Sequence, residues 1–184
     1  IMAETGAEEL KIETRAGILT AEAAGDGNFS VDMGPVNLDW QAIPLAREAD
    51  TLNLNIEAGD LMDPVAVNVG NPHAVFFVDD ADAVPLRDLG PGIETHALFP
   101  ERTNVDVAQI LPNGQIRLRV WERGVGITRA CGSGACAAAV AASRRNLAET
   151  EAIVIPDGGA RHIHWPADPP PPRPPPAATR LRAP

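Results

Sequence analysis

Residues 130–136, which read ACGSGAC, place a cysteine directly before an alanine-rich stretch. Alanine favours helix, and Arg144 and Arg145 suit a helix C-terminus, so we predict a helix over about 132–146. The unsatisfied N–H groups of its first turn would stabilise a Cys131 thiolate, a bound carboxylate, or both. A thiolate at this position would serve as a base or a nucleophile. The alternative is that Cys131 is a small buried apolar side chain and that the glycines merely allow close packing.

The second cysteine, Cys136, lies about one and a half turns further along the same predicted helix, among alanines. It therefore faces a different side of the helix, and packing is the better interpretation for it. The spacing of Cys131 and Cys136 is neither that of a zinc knuckle or a redox pair nor that of a disulfide framework. We predict at least one free thiol and no metal site.

Polar residues at three other places could contribute to a site. They are Asn71 and His73 in the segment NPH, Asn104 in TNV, and Glu122 with Arg123 in ERG. A histidine between two strands can be a general base, a hydrogen-bonded structural group or an exposed residue. The amide is commonly a turn former, and paired charges suit the solvated end of a hairpin. Taken one at a time, each group has an ordinary structural interpretation.

Alternation of apolar and polar residues predicts the strands that would position these groups. The strands form an opening β-meander, three further strands, and a hairpin closed by a Pro-Asn-Gly turn, at residues 10–14, 16–23, 28–33, 52–56, 65–69, 73–78, 105–110 and 116–120. Residues 34–50 show no sustained period, which indicates a connection. Residues 82–96 are expected to be helical but split into two short pieces by Gly90-Pro91-Gly92.

The predicted helix over 132–146 is apolar nearly all round, so we expect it to be buried with strands wrapped around it. One more hairpin follows, with strands near 153–155 and 162–165. Between Pro166 and Pro176, eight of 11 residues are proline, which cannot supply the donors of a sheet and favours an extended polyproline form. We predict that this tail is not a strand.

Composition narrows the class of function. The 184 residues carry a net charge of −10, so the long-range field repels nucleic acids and acidic membrane surfaces. No apolar run approaches a membrane span, and the first 30 residues show no basic segment leading into an apolar one. We expect a cytoplasmic protein that binds neither nucleic acid nor membrane. The sequence begins with isoleucine, which is expected of a truncated chain, and the alternative is that Met2 is the initiator.

Three segments of the sequence, taken together, resemble a known family, although none of them would identify it alone. In order they read GNPH from residue 70, FPERTNV from residue 99, and WERGVGITRACGSGAC from residue 121. They closely resemble the second half of members of the diaminopimelate epimerase family, over about residues 10–165. The resemblance implies an α+β fold in which a mixed, largely antiparallel sheet wraps around a central buried helix, as the second of two pseudo-symmetric domains.

The resemblance also implies a domain division. Residues 1–33 would be the last strands of a truncated N-terminal domain, residues 34–165 the C-terminal epimerase domain with its helix at about 132–146, and residues 166–184 a proline-rich tail. The first domain, with its own cysteine, is expected to precede residue 10. The proline-rich end departs from the family, which has a glycine-containing strand segment there.

Activity and site residues follow from the resemblance as expectations. The family epimerises LL-diaminopimelate to the meso form, for lysine and peptidoglycan precursors, with two opposed cysteine thiols and no metal or cofactor. Cys131 would be one of the two thiols, and His73 and Glu122 would tune the thiol protons. Gly132 and Ser133 would hold the reacting carboxylate through their backbone N–H groups. The distal end of the amino-acid substrate would be gripped by Asn71, Asn104 and Arg123. A homodimer is possible.

Two alternatives remain open from the sequence. The first is a proline or hydroxyproline racemase-like enzyme, although the distal set of Asn71, Asn104 and Arg123 favours a substrate with a second polar end. The second is an inactive half-enzyme, which would keep one half-site and lack the other catalytic cysteine.

Overall fold

The computed structural model describes residues 6–14, 17–25, 27–166 and 178–183. The described strands are β1 (Glu9–Thr14), β2 (Gly17–Gly25), β3 (Asn28–Pro35), β4 (Glu57–Ala58), β5 (Leu61–Met62), β6 (Val65–Asn68), β7 (Pro72–Phe77), β8 (Asn104–Ile110), β9 (Ile116–Glu122), β10 (Gly126–Thr128), β11 (Glu151–Ile155), β12 (Arg161–His164) and β13 (Ala178–Ala183). The described α-helices are α1 (Leu86–Glu94) and α2 (Gly132–Arg144).

Eleven of these strands form one sheet, in the order β1-β2-β3-β13-β12-β11-β9-β8-β7-β6, with β10 beside β9. Neighbouring strands run antiparallel except at β7/β8 and β9/β11, which are parallel. Strands β4 and β5 form a separate two-stranded ribbon. The sheet is therefore mixed and mostly antiparallel, and with the two helices it confirms the expected α+β fold class.

Helix α2 is the centre of the larger core. Its residues from Gly134 to Ala142 are all buried, and they pack with apolar side chains of β6, β7, β9, β11 and β12, among them Val67, Leu118 and Ile163. Alanine gives this helix its propensity and a narrow profile, so the sheet can approach it from several sides. The prediction of a buried central helix is confirmed, and the helix ends at Arg144, two residues before the expected end.

A second core covers the opposite face of β7 and β8. Leu86 and Ile93 of α1 pack there with Phe76, Val105 and Val107. Both faces of these two strands are therefore covered. Polar side chains on β7 and β8 are consequently withdrawn from solvent, and this burial determines the chemistry of the site below.

Helix α1 corrects one expectation. The predicted break at Gly90-Pro91-Gly92 is wrong, because a single helix runs from Leu86 to Glu94 through Pro91. The Gly90 position packs directly on Trp121, where an added Cβ would lie 2.6 Å from the indole ring. This close contact holds the helix against the sheet, so tertiary packing overrides the local breaking tendency of proline and glycine.

The expected strand over 52–56 is also wrong. These residues form a turn and an irregular segment, and Leu54 and Ile56 are buried as side chains of a loop in the second core. The other predicted strands are confirmed, including the hairpin of β8 and β9, whose turn contains Gly114 with φ of +79°. Positive φ at that position explains the need for glycine.

The end of the chain forms a strand. Ala178–Ala183 is β13, which pairs antiparallel with both β12 and β3. The expectation that residues 166–184 are a proline-rich tail is therefore wrong for 178–183. The prediction that the proline run is not a strand concerns residues 166–176, of which 167–176 lie outside the described residues. Neither helix in the described ranges has the length and apolar character of a membrane span.

Candidate active site

Cys131 occupies the N-cap position of α2. Its backbone is extended (φ −133°, ψ 109°), and its Sγ accepts a hydrogen bond of 3.3 Å from the Gly134 N–H. The side chain is buried, with 7% of the residue exposed. Burial raises the pKa of the Cys131 thiol to about 11, and the Asp106 carboxylate adds to this rise, against the hydrogen bonds from Ser133 and Gly134. Cys131 is therefore a thiol near neutral pH.

The first turn of α2 offers two free donors beside that thiol. The backbone N–H groups of Gly132 and Ser133 make no hydrogen bond to any described residue, as expected for the first positions of a helix. Both residues are half-buried, and no acidic residue lies in this turn. Partial positive charge and unpaired donors suit this place for a carboxylate.

His73 on β7 connects to Cys131 through Ser133. The histidine is fully buried, and its Nε2 lies 3.1 Å from Ser133 Oγ and 3.2 Å from Asn71 Oδ1. Ser133 Oγ in turn lies 3.4 Å from Cys131 Sγ. Four of the residues predicted from the sequence are thus brought together where the start of β7 meets the start of α2.

Asp106 of β8 completes this group and was missed by sequence reasoning. Its Oδ2 lies 2.6 Å from Nδ1 of His73, and both side chains are fully buried. Burial raises the pKa of Asp106, and His73 opposes that rise. The available signal was an acidic residue within a run of valines and alanine. Asp106 alternates with Val105 and Val107, and nothing in the strand itself shows that α2 covers the face on which Asp106 lies.

Glu122 stands at the end of β9 and faces the same thiol from another direction. Its Oε1 accepts a hydrogen bond from Thr128 Oγ1 of β10, a partner that the sequence did not indicate. The Glu122 carboxylate acts electrostatically on both Cys131 and Asp106, raising the pKa of each. The structure therefore places Glu122 near the thiol but gives it no hydrogen bond to Cys131 or His73.

The amide of Asn104 is largely committed to the protein itself. Its Nδ2 donates to the Pro72 carbonyl (2.8 Å) and its Oδ1 accepts from the Arg123 N–H (2.9 Å). The Arg123 guanidinium donates to the Glu101 carbonyl (2.9 Å) and is half-buried. Asn104 thus joins the start of β7 to the turn after β9, and it fixes the backbone of Arg123.

Glu94, at the end of α1, holds the same turn and was also missed. Its Oε2 accepts from Trp121 Nε1 (2.6 Å) and its Oε1 from the Gly124 N–H (3.0 Å). Arg102 contributes a longer contact of 3.4 Å to Oε1. The carboxylate is nearly fully buried, so it acts as an internal anchor for the turn that carries Arg123. No local sequence pattern distinguishes such a glutamate from an exposed helical one.

Cys136 lies in the core rather than at the site. It is fully buried among the apolar residues of the α2 core, and burial strongly raises the pKa of its thiol. No hydrogen bond joins it to Cys131 in the described part of the chain, and both cysteines are free thiols. Among the described residues, no group of three or more His, Cys, Asp or Glu side chains is placed to hold a metal ion.

Comparison with known proteins gives consistent matches. The sequence model of the family described as diaminopimelate epimerase matches residues 65–171. The diaminopimelate epimerase of Rhodospirillum centenum is 54% identical over 164 residues, covering 89% of this chain and 56% of that protein. The diaminopimelate epimerase of Erythrobacter litoralis is 53% identical over 175 residues, covering 95% of this chain and 65% of that protein. The chain thus spans somewhat over half the length of these relatives.

Solved structures support the fold. A probable proline racemase from Agrobacterium radiobacter K84 aligns with a TM-score of 0.61 at 18% identity, over 98% of this chain and 61% of that chain. A hydroxyproline epimerase from Agrobacterium vitis aligns with a TM-score of 0.59 at 15% identity, over 98% and 59% of the two chains. At such identities the likeness concerns the fold alone.

Proposed function

The chain belongs to the diaminopimelate epimerase family, and on that premise we propose that it forms one side of the active site of an enzyme that interconverts LL- and meso-diaminopimelate. The observation that carries the proposal is the arrangement at the start of α2. A buried thiol, Cys131, lies beside two unpaired N–H donors and is connected to a buried histidine. This arrangement provides a proton carrier next to a carboxylate site, which is what inversion at an α-carbon requires.

The proposed reaction is a proton exchange at the α-carbon. One thiolate takes the α-proton, so that the C–H bond breaks, an S–H bond forms, and the electron pair moves into the adjoining carboxylate. An opposing thiol then gives its proton to the other face of the carbon. Cys131 keeps its proton near neutral pH because its pKa is raised to about 11, so it would act as the proton donor in one direction and as the base in the other.

The second thiol must come from outside these 184 residues. The sequence contains two cysteines, and Cys136 is enclosed in the core on the same helix as Cys131. It therefore cannot reach the opposite face of a substrate held at Cys131. We propose that the remainder of the enzyme supplies the opposing thiol across a cleft.

The carboxylate of the reacting centre is assigned to the N–H groups of Gly132 and Ser133. Their donors and the positive end of α2 would stabilise the charge that grows on that carboxylate as the proton leaves. Donors fixed by the helix need no reorganisation during the reaction. The same contact orients the α-carbon relative to Cys131.

The distal end of the substrate is assigned to Asn71, Asn104 and Arg123. A guanidinium offers a planar pair of donors to a second carboxylate, which diaminopimelate has and proline lacks. In the structure, Asn104 contributes chiefly by fixing the Arg123 backbone, so its role is to place Arg123 as well as to contact the ligand. His73 and Glu122 are proposed to tune the protonation of the thiols.

The reaction needs no metal or cofactor, because the carboxylate and two thiols carry the charge and the proton. Its product would serve lysine and peptidoglycan precursor synthesis, in the cytoplasm, where free thiols persist. We also propose that the active protein is a homodimer.

The test is substrate conversion by the full gene product that contains this chain. We expect loss of the α-proton signal of LL-diaminopimelate in D2O, followed by NMR, together with formation of the meso isomer, and no exchange with L-proline or hydroxyproline. Exchange with proline but not diaminopimelate would overturn the proposal in favour of a racemase of cyclic amino acids. A folded protein that exchanges neither substrate would identify an inactive half-site.

A further inference from the structure

The buried carboxyl group of Asp106 has one partner among the described residues. Oδ2 contacts Nδ1 of His73 at 2.6 Å, whereas Oδ1 is buried and has no hydrogen-bond partner in the described part of the chain. Leaving a buried oxygen unpaired is costly, and an apolar residue of similar shape would avoid that cost. A purely structural role therefore does not account for this carboxyl group, and its one hydrogen-bond partner is His73.

The other nitrogen of His73 shows where its proton must be. Nε2 lies 3.2 Å from Asn71 Oδ1, an oxygen that can only accept a hydrogen bond. With the Asn71 amide in this orientation, the contact places a hydrogen on Nε2. That hydrogen is present when Asp106 donates its proton to Nδ1, and also when Asp106 is ionised beside a doubly protonated imidazole. If the neutral ring carried its hydrogen on Nδ1 alone, the unprotonated Nε2 and Asn71 Oδ1 would face each other as two hydrogen-bond acceptors.

A hydrogen on Nε2 also fixes the direction of the next bond. The single Nε2–H is shared between Asn71 Oδ1 and Ser133 Oγ, which lies 3.1 Å from Nε2. When Ser133 Oγ accepts from Nε2, its hydroxyl hydrogen is free to donate to Cys131 Sγ, 3.4 Å away. A hydroxyl that donates to sulfur stabilises the thiolate over the thiol. Asp106 sets this direction, although it lies farthest from Cys131 in the series Asp106, His73, Ser133, Cys131.

We propose that Asp106 is a positioning residue for Cys131. Its carboxyl group engages Nδ1 of His73, keeps the hydrogen on Nε2, and thereby makes Ser133 a hydrogen-bond donor to the reacting sulfur. The inference rests on the proposed function only in taking Cys131 as the reacting thiol. It adds a residue beyond those assigned from the family resemblance.

Other charges act on Cys131 and must be kept constant in a test. The titratable groups that face it are Asp106 of β8, Glu122 of β9, His73 of β7 and Cys136 of α2. The negative charges of Asp106 and Glu122 raise the Cys131 pKa through space. A variant of Asp106 thus changes both this direct effect and the effect relayed through Ser133, so the two have to be separated by a double-mutant cycle.

The experiment measures the alkylation rate of Cys131 by iodoacetamide at pH 8–9, by mass spectrometry of the full gene product. Well below the pKa, this rate is proportional to the thiolate fraction. Ser133→Ala removes the donor and is expected to raise the Cys131 pKa by about one unit, which lowers the rate about tenfold. Cys136 serves as an internal control, because it stays unreactive while the core is intact.

The Ser133→Ala effect is then measured in two Asp106 backgrounds. In the Asp106→Leu background the His73 Nδ1 has no partner, and we expect Ser133→Ala to lower the alkylation rate only about threefold or less. A threefold decrease corresponds to half of the rise in the Cys131 pKa that is expected in the parent protein. In Asp106→Asn the amide can still donate to Nδ1, so the full tenfold decrease should return. An equal decrease in all three backgrounds, or none in the parent protein, would overturn the proposal.

A second measurement needs no substitution at Asp106. The ¹⁵N chemical shifts of the His73 ring, assigned with a His73→Gln variant, should show a hydrogen on Nε2, and an unprotonated Nε2 would overturn the proposal. Neither measurement uses a substrate. If the Ser133 and Asp106 substitutions are coupled in their effect on the alkylation rate but the protein has no epimerase activity, the proposed function is refuted and this inference stands. If the protein is active and the effects of the two substitutions are independent, this inference alone is refuted.

Discussion

The Nδ1 atom of His73 lies 2.6 Å from Oδ2 of Asp106, and neither side chain is accessible to solvent. The contact follows from the parallel pairing of β7 with β8, in which His73 is opposite Asn104 and Val75 is opposite Asp106. Side chains two residues apart on a strand share a face, so Asn104 and Asp106 point to the same side. The register thus places the Asp106 carboxyl group and the Asn104 amide next to His73.

Replacing the two cysteines should have different consequences. Cys131→Ala removes the proton carrier and is expected to lower turnover of LL-diaminopimelate by at least about 10²–10⁴-fold, the usual contribution of a positioned acid or base. Cys136→Ala leaves a small cavity in the α2 core, and we expect it to cost about 1 kcal/mol of stability with turnover retained. Deuterium exchange and urea unfolding of both variants provide the measurement. Equal losses of rate in two folded variants would contradict the assignment.

Stability should fall at alkaline pH because of Cys131. The pKa of an ordinary cysteine is 9.0 and that of Cys131 in the folded protein is about 11, so the folded state holds the proton more tightly than the unfolded state. This contribution is fully present below pH 9.0 and is lost as the pH rises through the folded value. A pKa difference of this size between the two states corresponds to about 2–3 kcal/mol of stability.

The pH dependence is checked by urea unfolding of the parent protein and Cys131→Ala between pH 8 and pH 12. The free energy of unfolding of the parent should decrease more steeply with pH than that of the variant. Cys136 remains in both proteins and contributes a decrease of the same sign, since burial raises its pKa as well. Parallel curves for the two proteins would show that Cys131 is not perturbed.

Two glycines in helices should respond oppositely to alanine. At Gly134 an added Cβ would lie 2.8 Å from Asp106 Oδ1 and 3.3 Å from Cys131 Cβ. The displacement should cost about 1–3 kcal/mol, which outweighs the helix propensity gained. Around Gly92 in α1 nothing lies within 4 Å, so alanine there should stabilise the protein by up to about 1 kcal/mol. Thermal unfolding of both variants tests this, and stabilisation by Gly134→Ala would contradict the packing described at Cys131.

Glu94→Gln should loosen the turn that carries Arg123. The carboxylate accepts hydrogen bonds from Trp121 Nε1 and the Gly124 N–H, and hydrogen bonds to a charged group contribute about 1.5–3 kcal/mol each. We expect a loss of about 1–3 kcal/mol in stability, a change in tryptophan fluorescence, and a higher KM with a smaller change in kcat. Asp88→Asn removes one charge from the exposed surface of the same helix and serves as the control. An unchanged KM would show that the turn does not depend on Glu94.

Much of the architecture was predictable because the signals are local. Alternation predicted most of the strands, the Pro-Asn-Gly turn predicted the hairpin of β8 and β9, and the alanine run predicted a buried α2. The errors at residues 52–56 and at Pro91 arose where burial of loop side chains and the Gly90–Trp121 contact override local preference. Strand β13 was missed because the proline run beside it suggested an extended tail.

For the site, the sequence by itself determined which side chains are present, the family to which they point, and the position of Cys131 at a helix start. Helix-start geometry depends on neighbours in sequence, so it can be inferred from them. Only the tertiary structure decided that His73 reaches Cys131 through Ser133, and that Asp106 and Glu94 are internal anchors. These contacts depend on the parallel pairing of β7 with β8 and on helices covering both faces of the sheet. A strand's own alternation shows which residues share a face, but not whether water or a helix lies against it.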